Sequence, residues 1–163
     1  MPESTKRLQF LSSLLDMKGV SKHELARMMD VSPQNIFTYF KRDDMKLSYA
    51  QEIASRLGYD LSFRLERGED RPGDVLVDIE SLVGRDGLTR LAFLRAAMGM
   101  YGIRRKDLAE QLGLNYTGVN RWFKVDDISV SYVWRIAELY GLKVKISARV
   151  RKDAPQEVEL SGE

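Results

Sequence analysis

Apolar residues recur at helical spacing through the first third of the chain. Leu8, Leu11 and Leu15 share one face and predict a helix from a Thr5 cap to about Met17, ended by Gly19. Ser21 and Glu24 have capping-box spacing ahead of Leu25 and Ala26. Ser32, with Pro33 at the first helical position, opens a third helix. After a loop over 41–46, Ser48 is expected to cap a fourth helix carrying Ile53, Ala54 and Leu57, closed by Gly58. The period then changes. Leu61, Phe63 and Leu65 alternate with Ser62, Arg64 and Glu66, which predicts a strand.

Adding 83 to every number reproduces this pattern without a gap. Arg7, Leu8, Phe10 and Leu11 recur as Arg90, Leu91, Phe93 and Leu94; Asp43-Asp44 recurs as Asp126-Asp127 and Ser48-Tyr49 as Ser131-Tyr132. The strand recurs as Val144, Ile146, Ala148 and Val150. The period is too long for a solenoid and indicates duplication of a small domain. The organisation expected is a first domain over 1–67, an acidic linker over 68–87, a second domain over 88–150 and a disordered tail over 151–163, poor in large apolar residues. Within the linker Val75, Val77 and Ile79 alternate as a strand would, while Ile79–Val83 also fits one helical turn capped by Asp78.

The clearest unit is Arg104–Lys124. Leu108, Ala109 and Leu112 share a helical face, Gly113 supplies a left-handed break, and Leu114 packs under the turn. Asn115 is placed to cap a second helix whose apolar stripe is Val119, Trp122 and Phe123. Ala109 is small enough to let the two helices cross closely. Ser21–Lys41 is the same arrangement one repeat earlier.

These units resemble the helix-turn-helix of the lambda-repressor-like (Cro/C1-type) DNA-binding family, through Glu24-Leu25-Ala26, Asp107-Leu108-Ala109, the turn, and Val119-Asn120-Arg121-Trp122. The resemblance implies a mainly α fold with two such domains, and a second helix of each that enters the major groove. It places Gln34, Asn35 and Thr38, and Thr117, Asn120 and Arg121, against base edges. Gln and Asn suit adenine, and arginine suits guanine or a phosphate. Phosphate contacts are expected from Ser21, Lys22, Arg104 and Arg105 at the first motif helices, and from Lys41, Arg42 and Lys124 beyond the second. Tyr116 either stacks on a sugar or packs on the protein, and Gly118 lets the backbone approach closely. Two departures stand out. Asp30 replaces the usual turn glycine, and paired aspartates follow each recognition helix where the family is commonly basic.

Many members of the family bind palindromes as symmetric dimers. Here the repeat supplies both helices in one chain. A pseudo-twofold axis would pair Leu61, Phe63 and Leu65 antiparallel with Val144, Ile146 and Ala148, placing Phe63 near Ile146 in a small sheet. The expected state is a monomer with internal pseudo-twofold symmetry, or a homodimer.

Charge and chemistry sharpen this picture. The formal net charge is only +2, but 4–67 and 88–150 are net basic while 68–87 and 151–163 are net acidic. Cysteine is absent, which excludes disulfides and thiolate metal sites and fits a reducing cytoplasm. No apolar run is long enough to span a membrane. His23 is the single histidine, and phosphate-loop, dinucleotide and nucleophile-elbow motifs are missing. Asp43-Asp44 and Asp126-Asp127 more often cap helices or shape turns than bind metal. The expectation is a regulator that binds double-stranded DNA beside the nucleoid, of bacterial or phage type, with no enzymatic activity, cofactor, metal or membrane partner. The alternative is an antitoxin-like adaptor that binds protein through the same helical surface, supported by the acidic loops.

Overall fold

The computed structural model describes residues 7–67 and 90–150, and the backbone of 157–161. The elements are α1 (Gln9–Lys18), α2 (Lys22–Met29), α3 (Pro33–Arg42), α4 (Leu47–Arg56), β1 (Tyr59–Arg67), α5 (Ala92–Tyr101), α6 (Arg105–Leu112), α7 (Tyr116–Val125), α8 (Val130–Tyr140), β2 (Leu142–Val150) and β3 (Glu157–Ser161). Each element from α5 to β2 begins 83 residues after its counterpart in α1 to β1. No helix among the described residues is long and apolar enough to cross a membrane. Thr5 and the alternation Val75, Val77, Ile79 lie outside the described residues.

Local signals decide most helix ends. Ser21 Oγ accepts from the Glu24 amide at 3.1 Å, and Glu24 Oε1 accepts from the Ser21 amide at 2.9 Å, which is the complete capping box. Ser32 Oγ accepts from the Asn35 amide at 3.3 Å, with Pro33 opening α3. Gly113 ends α6 at φ +70°, and Asp30 ends α2 in the same left-handed conformation at φ +58°. Asn115 sits at the N-cap of α7 but makes no side-chain cap bond.

Distant carboxylates serve several helix starts. Helix α1 begins at Gln9, and its leading amides are taken from elsewhere: Asp43 accepts from Arg7 at 2.7 Å and from Leu8 at 2.9 Å. In the second half Asp126 accepts from Arg90 at 3.0 Å and Leu91 at 3.1 Å, ahead of α5. Ser48 does not cap α4. The helix starts at Leu47, and Asp127 accepts from both the amide and the hydroxyl of Ser48. Reciprocally, Asp44 accepts from the Ser131 amide at 2.8 Å at the start of α8. Thus the first aspartate of each pair caps the opening helix of its own half, and the second caps a helix of the other half.

The halves also meet through backbone. Leu47 N donates to Ile128 O and Val130 N donates to Met45 O, both at 2.8 Å, around a bridge between Lys46 and Ser129. Strands β1 and β2 pair antiparallel from Tyr59↔Val150 to Arg67↔Leu142, with Phe63 opposite Ile146. Both central pairs, Phe63 with Ile146 and Lys46 with Ser129, join equivalent positions of the repeat, so a pseudo-twofold axis passes through each.

Strand alternation buries one face. Leu61, Phe63 and Leu65 on β1, and Val144, Ile146 and Ala148 on β2, are all buried. Phe63 lies edge-on to Phe10 at 5.6 Å and 5.8 Å from Phe93, so it joins the cores of both halves. One continuous apolar cluster runs from Leu8 to Ala148.

Disorder was expected over 151–163, of which the structure describes the backbone of 157–161 alone. Residues 157–161 form β3, antiparallel to β2, with Ile146 opposite Leu160 and Ala148 opposite Val158. The sequence Glu-Val-Glu-Leu-Ser has the period-two alternation of a half-buried strand, and the open edge of β2 supplies its partners.

Candidate nucleic-acid interface

Helices α2 and α3 are joined by a three-residue turn, and α6 and α7 by its counterpart. Leu25, Ala26 and Ile36 are buried between the first pair, and Leu108, Ala109, Val119 and Phe123 between the second. Burying those stripes leaves the opposite faces of α3 and α7 in solvent. Gln34 and Asn35 are exposed at the start of α3, and Thr117 and Gly118 at the start of α7. Arg121 is exposed one turn further on, while Thr38, its counterpart, is half-buried. Tyr116, at the first position of α7, is 54% exposed.

Asn120 is differently placed. Its Oδ1 accepts from the Arg105 guanidinium at 2.9 Å, and both residues are half-buried. Arg105 also lies over the Phe123 ring at 4.2 Å, with Arg95 over the same ring at 5.2 Å. Two residues assigned separate contacts thus form one contact between α6 and α7. In the first half Lys22 lies over Phe40 at 4.7 Å, in the equivalent position. There Phe37, 38% exposed, replaces Asn120 and stands edge-on to His23 at 5.1 Å. The lone histidine is therefore a packing partner on α2.

Of the other cations, Lys41, Arg42 and Lys124 are exposed at the ends of α3 and α7, with Arg42 5.9 Å from the Tyr39 ring. Arg104 is exposed but paired with Asp107 at 3.1 Å, and Ser21 Oγ accepts its cap bond, which leaves its hydroxyl proton to donate. Lys46 was not among the sequence candidates. It is exposed at the junction between the halves, in the loops that follow α3 and α7. Only the pairing of the halves reveals that position, because locally Lys46 is one more loop lysine.

Electrostatics at the helix starts follow from the caps. Backbone and hydroxyl hydrogen bonds from Ser21 hold the Glu24 carboxyl below its ordinary value. The Arg104 hydrogen bond does the same for Asp107, and Asp107 in turn raises Arg104. A carboxyl with a depressed folded pKa stabilises above its unfolded pKa, and that contribution is lost as pH falls through the folded one. Acidification below about pH 4 is therefore expected to fray the first turns of α2 and α6 before the core opens. Protection of the Ser21 and Arg104 amides, which these carboxylates accept, that stayed unchanged between about pH 5 and 3 would contradict this.

Two helix faces, polar and cationic, are thus set in equivalent positions about a pseudo-twofold axis. Over 72 residues the chain is 33% identical to the repressor protein CI of Enterobacteria phage phi80, a match covering 44% of this chain and 29% of that protein. The chain thus spans under a third of the relative's length. No family model matches the chain, and no solved structure matches it.

Proposed function

We propose that this protein is a transcription regulator that binds double-stranded DNA, with one chain acting as its own dimer on an imperfect palindrome. The observation that carries the reading is the pair of equivalent helix faces about the pseudo-twofold axis, each with an exposed N-terminal polar set. The similarity to a phage repressor supports it. In this reading the two helix pairs are lambda-repressor-like helix-turn-helix domains produced by tandem duplication. Helices α3 and α7 enter successive major grooves on one side of the duplex. Gln34, Asn35 and Thr38 read one half-site, and Thr117 and Arg121 the other, while Asn120 helps hold Arg105 in place. Because these sets differ, the half-sites differ. Lys22, Lys41, Arg42, Arg105 and Lys124 neutralise phosphates, and Arg104 joins them at the cost of sharing its charge with Asp107. The protein works as a binding protein without catalysis, close to the nucleoid.

The adaptor alternative drew its support from acidic loops. Those four carboxylates accept backbone amides inside the molecule, so they give a protein partner little negative surface.

Selection of bound sequences from a random duplex pool tests the reading. An unequal two-part motif is expected, and no enrichment would overturn it. Arg121→Ala is expected to cost about 1–3 kcal/mol at the selected site and to relax one or two positions of one half-site. An equal loss on all sequences would make Arg121 a phosphate contact. Lys41→Gln and Lys124→Gln are each expected to flatten the dependence of log affinity on log salt by about one unit. Unchanged slopes in both would remove them from the interface.

A further inference from the structure

Strands β1 and β2 occupy equivalent positions 83 residues apart, yet their outward residues invert in charge. Asp60 corresponds to Lys143, and Glu66 to Arg149. The antiparallel register crosses these pairs, so Asp60 faces Arg149 and Glu66 faces Lys143. A copy of β1 laid on β1 about the same axis would set Asp60 against Glu66 at both ends. A copy of β2 on β2 would set Lys143 against Arg149. Opposite charges across a rung stabilise a sheet and like charges destabilise it. The observed pairing has one like-charge rung, Arg64 with Lys145, and there Glu66 lies 3.6 Å from the Arg64 guanidinium and offsets it.

The centre of the sheet is matched in volume. Phe63 meets Ile146 on the axis, and its ring lies between Phe10 and Phe93. Two phenylalanines there would overfill the space, and two isoleucines would leave a void. Contacts away from the axis are matched in hydrogen bonding. The Arg67 amide donates to Tyr101 Oη at 3.2 Å, and the Arg67 guanidinium lies 4.9 Å from that ring. The counterpart of Tyr101 is Lys18, which would bring a second cation to Arg67 and no acceptor. Arg90 Nε donates to Gln51 Oε1 at 2.8 Å, and the counterpart of Gln51 is Trp134, whose indole nitrogen only donates.

We propose that the face joining the halves is not self-complementary: each half accepts the other and rejects a copy of itself. Every unit assembled through this face then presents one α3 and one α7, never two of either. The inference goes beyond the DNA-binding reading and does not rest on it.

Copying residues between equivalent positions imitates each self-pairing inside the full chain, and thermal unfolding without DNA reads the result. On the axis, Phe63→Ile and Ile146→Phe are each expected to lower the midpoint, and the double exchange to recover most of the loss, since it again sets a large side chain against a smaller one. At the rim, Glu66→Arg sets two cations on one rung and Lys143→Asp sets two carboxylates there. Each is expected to lower the midpoint at low salt, and the double exchange to recover most of that loss. Glu66 is half-buried and Lys143 exposed, so the rim variants keep the test decisive where an axis variant fails to fold. Additive losses in either double exchange that folds would show that each residue suits only its own half, and would overturn the proposal.

Discussion

Replacing Phe63 by alanine is expected to destabilise the whole chain by about 3–5 kcal/mol and to shift its urea unfolding as a single transition. Phe63 is 2% exposed at the centre of β1, opposite Ile146, which has no exposed surface. Its ring touches Phe10 from the first half and Phe93 from the second. Truncation removes the transfer energy of a large ring and leaves a cavity walled by both halves, which only a shift of one half against the other could close. Helices α1 and α5 each lose a ring contact when that ring is gone. Two separated transitions, one for each half, would show that the cores are independent and would sink this argument.

The second large effect is expected at Asp126. It is 5% exposed, the one buried charged residue among those described. Its carboxylate serves the Arg90 and Leu91 amides, and its own carbonyl accepts from the Arg90 guanidinium at 2.9 Å. Alanine would leave two amides at the start of α5 without acceptors, the Leu91 amide buried and the Arg90 amide partly so, at about 1–3 kcal/mol for a buried group left unpaired. Asp126 also sits at φ +58°, where aspartate is tolerated and alanine is strained. The expected loss in Asp126→Ala is about 3–5 kcal/mol by denaturant unfolding. Asp126→Asn keeps one acceptor and the left-handed preference, so it should lose much less. Asp43→Ala should also lose less, because its bonds are only partly buried. A loss in Asp126→Ala no greater than in the exposed Glu110→Ala would refute the cap.

Features legible in the sequence were those whose cause is local or repeated. The capping box at Ser21 and Glu24, the proline at the start of α3 and the change to period two at β1 each lie within a few residues of the structure they specify. The register of β1 on β2 followed from the repeat, because a twofold axis pairs equivalent positions, and Phe63 faces Ile146. Contacts between remote residues were not legible. Ser48 carries the composition of a cap, yet the acceptor is Asp127, 79 residues away. Nothing near Asp43 announces that it closes α1. Asn120 reads as a free polar group until α6 brings Arg105 against it across 15 residues. Strand β3 was hidden because two apolar residues among acidic ones do not define a strand without an edge to pair with.

The exchanged caps bear on how the chain reaches this structure. Asp127 with Ser48 and Asp44 with Ser131 join positions 79 and 87 apart, and every β1–β2 rung is likewise non-local. Closing such loops costs chain entropy before any of those bonds forms, whereas the helices themselves need only neighbours. Helical segments are expected to form early and search for each other, and the rate-limiting event becomes the encounter of the two halves. Contact order, rather than helix content, then sets the folding speed, which places this mainly helical protein with the slower mixed α/β folders.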